Sequence, residues 1–137
     1  MFEVVSDNSE ETAQAIERGL NAYNRKTADV NLESKPVNVA VRDSDGKVCG
    51  GIVARVNADA LYVSLVWLED HLRGTGQGRR MMQKVEDEGR KLGAQIAWLN
   101  TLSFQARPFY EKLGYRLFGE MPVDGGRHKR YFMQKDL

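Results

Sequence analysis

The chain has 137 residues, enough for one domain, residues 1–137, with a single core and no need of disulfide or metal staples. Lys plus Arg total 20 and Asp plus Glu 19, so a net charge of +1 argues against general polyanion affinity and makes any anion site a local one. Cys49 is the only cysteine, which excludes an internal disulfide framework and suits a small buried residue in a reducing compartment.

In chain order, Phe2 to Ser6 reads as a short first strand. The following DNSEE offers Asp7, Asn8 or Ser9 as N-caps, with Glu10 and Glu11 suited to a first helical turn. Ala13, Ile16, Leu20 and Tyr23 recur at helical spacing and predict a helix from about Ser9 to Arg25, followed by a polar loop or second short helix. Val37 to Val41, Val48 to Val56 and Ala60 to Leu68 are three strands of an antiparallel meander, the first turn marked by Asp45-Gly46.

Met81, Met82, Val85, Gly89 and Leu92 then line one face of a helix that Gly93 ends. Gln95 to Asn100 is a strand, which makes a strand–helix–strand crossover with parallel strands. The stretch SFQARPFYEKLG is a short helix with Pro108 in its first turn and Gly114 as its stop. YRLFGEM and HKRYFMQK close the chain as a hairpin around PVDGGR. The order β-α-βββ-α-β-α-ββ is that of an α/β or α+β domain with a mixed, mostly antiparallel sheet flanked by helices.

The segment Arg73-Gly74-Thr75-Gly76-Gln77-Gly78 sits where a strand ends and a helix begins, and free amides together with the helix dipole favour an anion there. Glycines let a phosphate approach the backbone, and Arg73, Arg79 and Arg80 add positive charge. A P-loop needs Gly-Lys-Ser/Thr, which Gly78-Arg79-Arg80 does not supply. The dinucleotide fingerprint Gly-x-Gly-x-x-Gly lacks its third glycine.

What remains, Arg-x-x-Gly-x-Gly, resembles the pyrophosphate-binding motif of the GCN5-related N-acetyltransferases, the GNAT superfamily. Downstream, NTLSFQARPFYEKLGYRLFG is similar to that family's Asn-then-Ala-x-x-Phe-Tyr-x-x-x-Gly-Phe/Tyr segment. The two motifs fall in the right order on the right elements, and the resemblance covers nearly the whole chain. It implies the GNAT-like fold, acetyl-CoA as donor, and transfer of an acetyl group to a primary amine; no Cys/His spacing suggests a metal.

Such a transfer needs a base or water chain for the amine's proton, a donor for the charge on the carbonyl oxygen, and a proton donor for the leaving thiolate. The amide-rich pantetheine arm suits β-like pairing with an exposed strand edge. By the resemblance, Val66, Trp67 and Leu68 present that edge. The amides of Arg73, Gly74, Thr75, Gly76, Gln77, Gly78 and Arg79 hold the pyrophosphate, and Asn100 touches the pantetheine. Tyr110 matches the tyrosine near the CoA sulfur and is expected to act as the acid, a phenol of ordinary pKa about 10. Glu69 is the expected base, direct or through water, with His71 a weaker candidate. His128 lies in a basic hairpin with Arg127, Lys129 and Arg130, read chiefly as a solvated surface.

The leading reading is therefore an acetyl-CoA-dependent N-acetyltransferase acting on a small-molecule amine. The alternatives are an acetyl-CoA-binding sensor without turnover and a protein or peptide N-acetyltransferase. Nucleic-acid binding is disfavoured by the balanced charge and by aromatics that do not interleave with a basic stripe. A membrane partner is disfavoured because the longest apolar run, near Leu61 to Leu68, is far below the ~18 residues of a spanning helix, and MFEVVSDNSEE is not patterned as a secretory signal. A cytoplasmic protein is expected, and homodimers are common among the family.

Overall fold

The computed structural model describes every residue, Met1–Leu137. The chain divides into two compact units, Met1–Glu33 and Ser34–Leu137.

In the first unit, helix α1 spans Glu10–Ala28. Ser9 caps it by accepting the Thr12 amide at 3.2 Å, and Asp7 accepts the Ser9 amide at 2.9 Å and the Thr12 hydroxyl at 2.6 Å. These donors, the Thr12 hydroxyl foremost, hold the Asp7 carboxyl below the usual carboxylate range. The helix runs three residues beyond the expected Arg25, ends on Asp29 in the left-handed region (φ 50°), and buries none of its residues. Phe2 to Ser6 forms no strand, contrary to the sequence expectation. Its valines favour extended backbone by no more than about 1 kcal/mol each, a preference that counts only where a neighbouring strand takes up the backbone groups.

The second unit is a seven-stranded sheet with two helices. Its strands are β1 Lys35–Pro36, β2 Val39–Arg42, β3 Val48–Asn57, β4 Ala60–Leu68, β5 Ile96–Leu102, β6 Arg116–Val123 and β7 His128–Asp136. Helix α2 is Gln77–Lys91 and α3 is Arg107–Lys112. The order is β1-β3-β4-β5-β7-β6, with β2 also on β3, and every pairing is antiparallel except β4 with β5. Of the expected strand Val37 to Val41, only Val39 to Val41 lie in a strand, β2, and Val37 falls between β1 and β2 although its amide donates to the Ala54 carbonyl at 2.9 Å.

Alternation places Ile52, Ala54 and Val56 of β3, Leu61 and Val63 of β4, Ala97 and Leu99 of β5, and Met133 of β7 in one core. Met81, Met82 and Val85 of α2 join them, and full burial of such side chains contributes about 1.5–3 kcal/mol each. Leu92, expected on this stripe, follows the last turn of α2 and is 39% exposed. Cys49 is buried, as expected of a core residue.

One irregularity sets up the site. Leu65 pairs with Val53 and Val63 with Ala54, so Ser64 is an extra residue in β4, and its hydroxyl donates to the Val53 carbonyl at 2.9 Å. Such a bulge bends its strand and sharpens the twist. The parallel pairing of β4 with β5 runs from Ala60↔Ile96 to Val63↔Leu99 and stops there. Beyond it both strands continue, to Leu68 and Leu102, without pairing to each other.

Candidate active site

The parting of β4 and β5 opens a cleft of about 800 Å³. One wall is the unpaired end of β4, with Val66, Trp67 and Leu68 on its surface. This is the strand edge the resemblance called for. Its backbone groups are released from β5 by the Ser64 bulge, not by any signal in the residue types at 66–68.

A short 3-10 turn, Asp70–Leu72, follows β4, and the glycine segment leads from it into α2. Gly74 and Gly76 have φ of +74° and +88°, left-handed values that cost other residues roughly 1–2 kcal/mol. Neither has any atom within 4 Å of the place its Cβ would occupy, so a ligand can approach the backbone there. Gly78 answers a different need, because a Cβ on it would stand 3.2 Å from the Phe109 ring.

None of the amides from Gly74 to Arg79 donates to another backbone group, and the helical ladder resumes only with Arg80 to Gly76 at 3.1 Å. These consecutive donors at the start of a helix form an anion cradle. The Arg73 amide does not belong to it, contrary to expectation, because it is donated to the Asp70 carbonyl at 3.1 Å. Arg73 lines the cleft with its side chain instead, as do Gly74, Gly76, Gly78 and Arg79. Thr75 and Gln77 stand off the cleft wall, and the Thr75 hydroxyl is turned back to the Leu72 carbonyl.

Across the cleft, Asn100 on β5 accepts from Arg130 Nη1 at 2.7 Å and donates to the Tyr62 hydroxyl at 3.3 Å. Tyr110 lines the cleft from α3, with its ring edge-on to Phe109 and Tyr115 and only 7% exposed. Burial pushes its phenol up to about 12, so it stays protonated throughout the neutral range. Its hydroxyl makes no hydrogen bond within the chain and is not sealed from solvent.

The structure does not bring Glu69 to the cleft. Its carboxylate lies 3.3 Å from His71 Nδ1 and 3.8 Å from Lys47 Nζ. No Asp or Glu lines the cleft at all.

The basic hairpin also divides. Arg127 is paired with Asp124 at 3.3 Å and Lys129 with Glu120 at 3.5 Å, and His128 packs edge-on against Phe104. Arg130 alone of the four lines the cleft. The run of like residues hid this in the sequence, since only the register of β7 on β5 tells which side chain turns inward.

The inward turn of Arg130, the Phe104 and Gln105 loop, and the Ser64 bulge are the cleft features that residue reading missed. Gln105 fixes its loop by accepting the Leu102 amide at 2.7 Å. A glutamine placed three residues after a strand end carries no sequence signal for that.

Comparison with known proteins agrees with this geometry. The acetyltransferase (GNAT) family matches residues 5–115. The chain is 30% identical to acetyltransferase Atu2258 of Agrobacterium fabrum over 126 residues, covering 90% of this chain and 91% of that one. It is 33% identical to blasticidin-S acetyltransferase of Streptomyces morookaense over 98 residues, covering 66% of this chain and 70% of the relative. A crystal structure of an acetyltransferase from Bacillus cereus superposes with a TM-score of 0.82 at 25% identity, over 98% of both chains. The chain belongs to the GNAT acetyltransferase family and is an acetyl-CoA-dependent N-acetyltransferase.

Proposed function

We propose that the acceptor is the amine of a small molecule and that Tyr110 is the acid that assists departure of the thiol. The observation that carries the reading is the cleft itself: unpaired β4 edge, free amides from Gly74 to Arg79 and the Tyr110 hydroxyl all line or border one space of about 800 Å³. The name of the blasticidin-S acetyltransferase relative supports a small-molecule acceptor.

Acetyl-CoA supplies an activated thioester. The chain's residues fit it, since amides from 74 to 79 suit a pyrophosphate and the backbone at 66–68 suits the amides of a pantetheine arm. In this reading an amide of the β4 edge would polarise the acetyl carbonyl, where charge builds during attack.

Tyr110 offers its O–H to the sulfur as negative charge gathers there. Its phenol, at about 12, lies above an ordinary thiol near 8.5, so its part is a hydrogen bond that strengthens through the transition state. Solvent completes the proton's transfer to the thiol.

With no carboxylate on the cleft wall, the acceptor's proton leaves through water. Glu69 stands off that wall, paired to Lys47 and His71, so bulk solvent is the acceptor of that proton. Thiol release followed with a panel of small amines tests the reading. Acceptor-dependent release is expected with small amines, whereas release only with peptides would overturn the small-molecule acceptor. Tight acetyl-CoA binding with no release on any amine would instead favour a binding module.

A further inference from the structure

The cleft holds a charge that stands apart from the amide cradle at the start of α2. Arg130 is half-buried and has no carboxylate partner, while its hairpin neighbours Arg127 and Lys129 are both ion-paired. The nearby Arg107 is also engaged, 3.5 Å from Glu111 and 4.5 Å over the Tyr131 ring.

Register fixes where Arg130 points. It pairs with Leu102 and lies one step from the Asn100↔Phe132 pair, on the face opposite Leu99↔Met133 and the core. The cradle at the start of α2 belongs to the other layer, since α2 packs Met81, Met82 and Val85 into that core. A phosphate held there already has its own donors.

Arg130 is also held in place. Its Nη1 is fixed on Asn100, Asn100 on the Tyr62 hydroxyl, and the Tyr62 ring is stacked on Trp98 at 4.1 Å with the Arg55 guanidinium 4.6 Å from its own centroid. One edge of the guanidinium is occupied by Asn100, and its remaining N–H groups are left for a planar oxyanion.

We propose that Arg130, oriented by Asn100, binds an anionic group of the acceptor, so that the substrate is an amine that also carries a carboxylate. The proposal rests on the small-amine acetyltransferase reading and adds the substrate class. Because the cleft is lined by Arg73, Arg79 and Arg130 and by no Asp or Glu, a polycationic amine finds no countercharge on its walls. The same positive field lowers the pKa of an incoming ammonium group, which favours the neutral amine that attacks.

Matched pairs of free amino acids and their carboxamides, assayed with acetyl-CoA by thiol release, test the idea. The carboxylate member is expected to have a kcat/KM at least ~10-fold higher, carried by KM. Arg130→Gln should bring that ratio close to one with little change in the acetyl-CoA KM, Arg130→Lys should restore part of it, and Arg127→Gln should leave it as it was. A wild-type preference for carboxamides or polyamines would overturn the proposal while leaving the acetyltransferase reading intact. So would an Arg130→Gln loss that is equal for both members of each pair.

A second readout needs no turnover. The thermal midpoint of the CoA-loaded chain should rise with the amino acid more than with its amide, and Arg130→Gln should abolish the difference. No difference in the wild type would overturn the proposal even if every amine proved inert.

Discussion

Tyr110 owes its properties to its neighbours. Phe109 and Tyr115 meet its ring edge-on at 5.1 and 6.0 Å, and the last core layer leaves little but the hydroxyl for the cleft. Replacing it with phenylalanine keeps the ring and removes only the donor. Tyr110→Phe is expected to lower turnover ~10²–10⁴-fold while acetyl-CoA affinity, measured by calorimetry, changes by less than about threefold. Near-normal thiol release from the variant would take Tyr110 out of the chemistry. Glu86 shows the opposite use of a polar group: although 4% exposed, it accepts from Tyr115 at 2.7 Å and from Lys135 at 2.8 Å, so its charge is fully matched inside the fold.

At the scale of elements, the decisive device is a single extra residue in β4. Without Ser64 the ladder between β3 and β4 would be regular, residues 65–68 would shift by one position, and nothing would part β4 from β5 beyond Val63. Deleting Ser64 is therefore expected to retain the sheet, read by far-UV circular dichroism, and to weaken acetyl-CoA binding by at least ~10-fold, since the edge proposed to hold the pantetheine closes or turns its side chains over. Unchanged binding in a folded deletion variant would show that the bulge does not make the cleft.

For the molecule as a whole, the buried phenols tie stability to alkaline pH. Burial raises Tyr110 to about 12, and burial first and then the Glu86 charge raise Tyr115 further. Below about pH 10 both phenols are protonated in folded and unfolded chains, and their contribution is complete. Above it the unfolded chain ionises them while the folded one does not. Stability should then fall by about 1.4 kcal/mol per pH unit for each tyrosine, for Tyr110 until about pH 12. Urea unfolding between pH 8 and 11 checks this, and a Tyr110→Phe, Tyr115→Phe double variant should flatten the profile if it folds.

Much of this architecture was readable from the letters. The apolar stripe Met81, Met82 and Val85, the glycines at 74, 76 and 78, and the hairpins all carry local signals, because each meets a requirement of its own backbone or its own helix face. Phe2 to Ser6 misled because strand formation depends on a partner that local composition does not name. The Ser64 bulge and the inward turn of Arg130 were hidden for a related reason: both are facts of register, fixed by which residues of two strands stand opposite. Glu69 was read by proximity in sequence to the loop, and the structure turns its carboxylate to Lys47 and His71.

The unbonded amides from Gly74 to Arg79 also make the cradle a reporter of its own occupancy. An amide with no acceptor in the chain exchanges its hydrogen with solvent freely, whereas one that donates to a bound phosphate does not. Hydrogen exchange along 74–79 is thus expected to be fast in the bare chain and to slow by orders of magnitude with acetyl-CoA, while the amides of β3, already paired on both sides, keep their rates. If exchange at 74–79 did not slow with cofactor bound, the anion would have to be held elsewhere. The first turn of α2 is in this sense left incomplete by the polypeptide, and a phosphate bound on its amides would finish the helix.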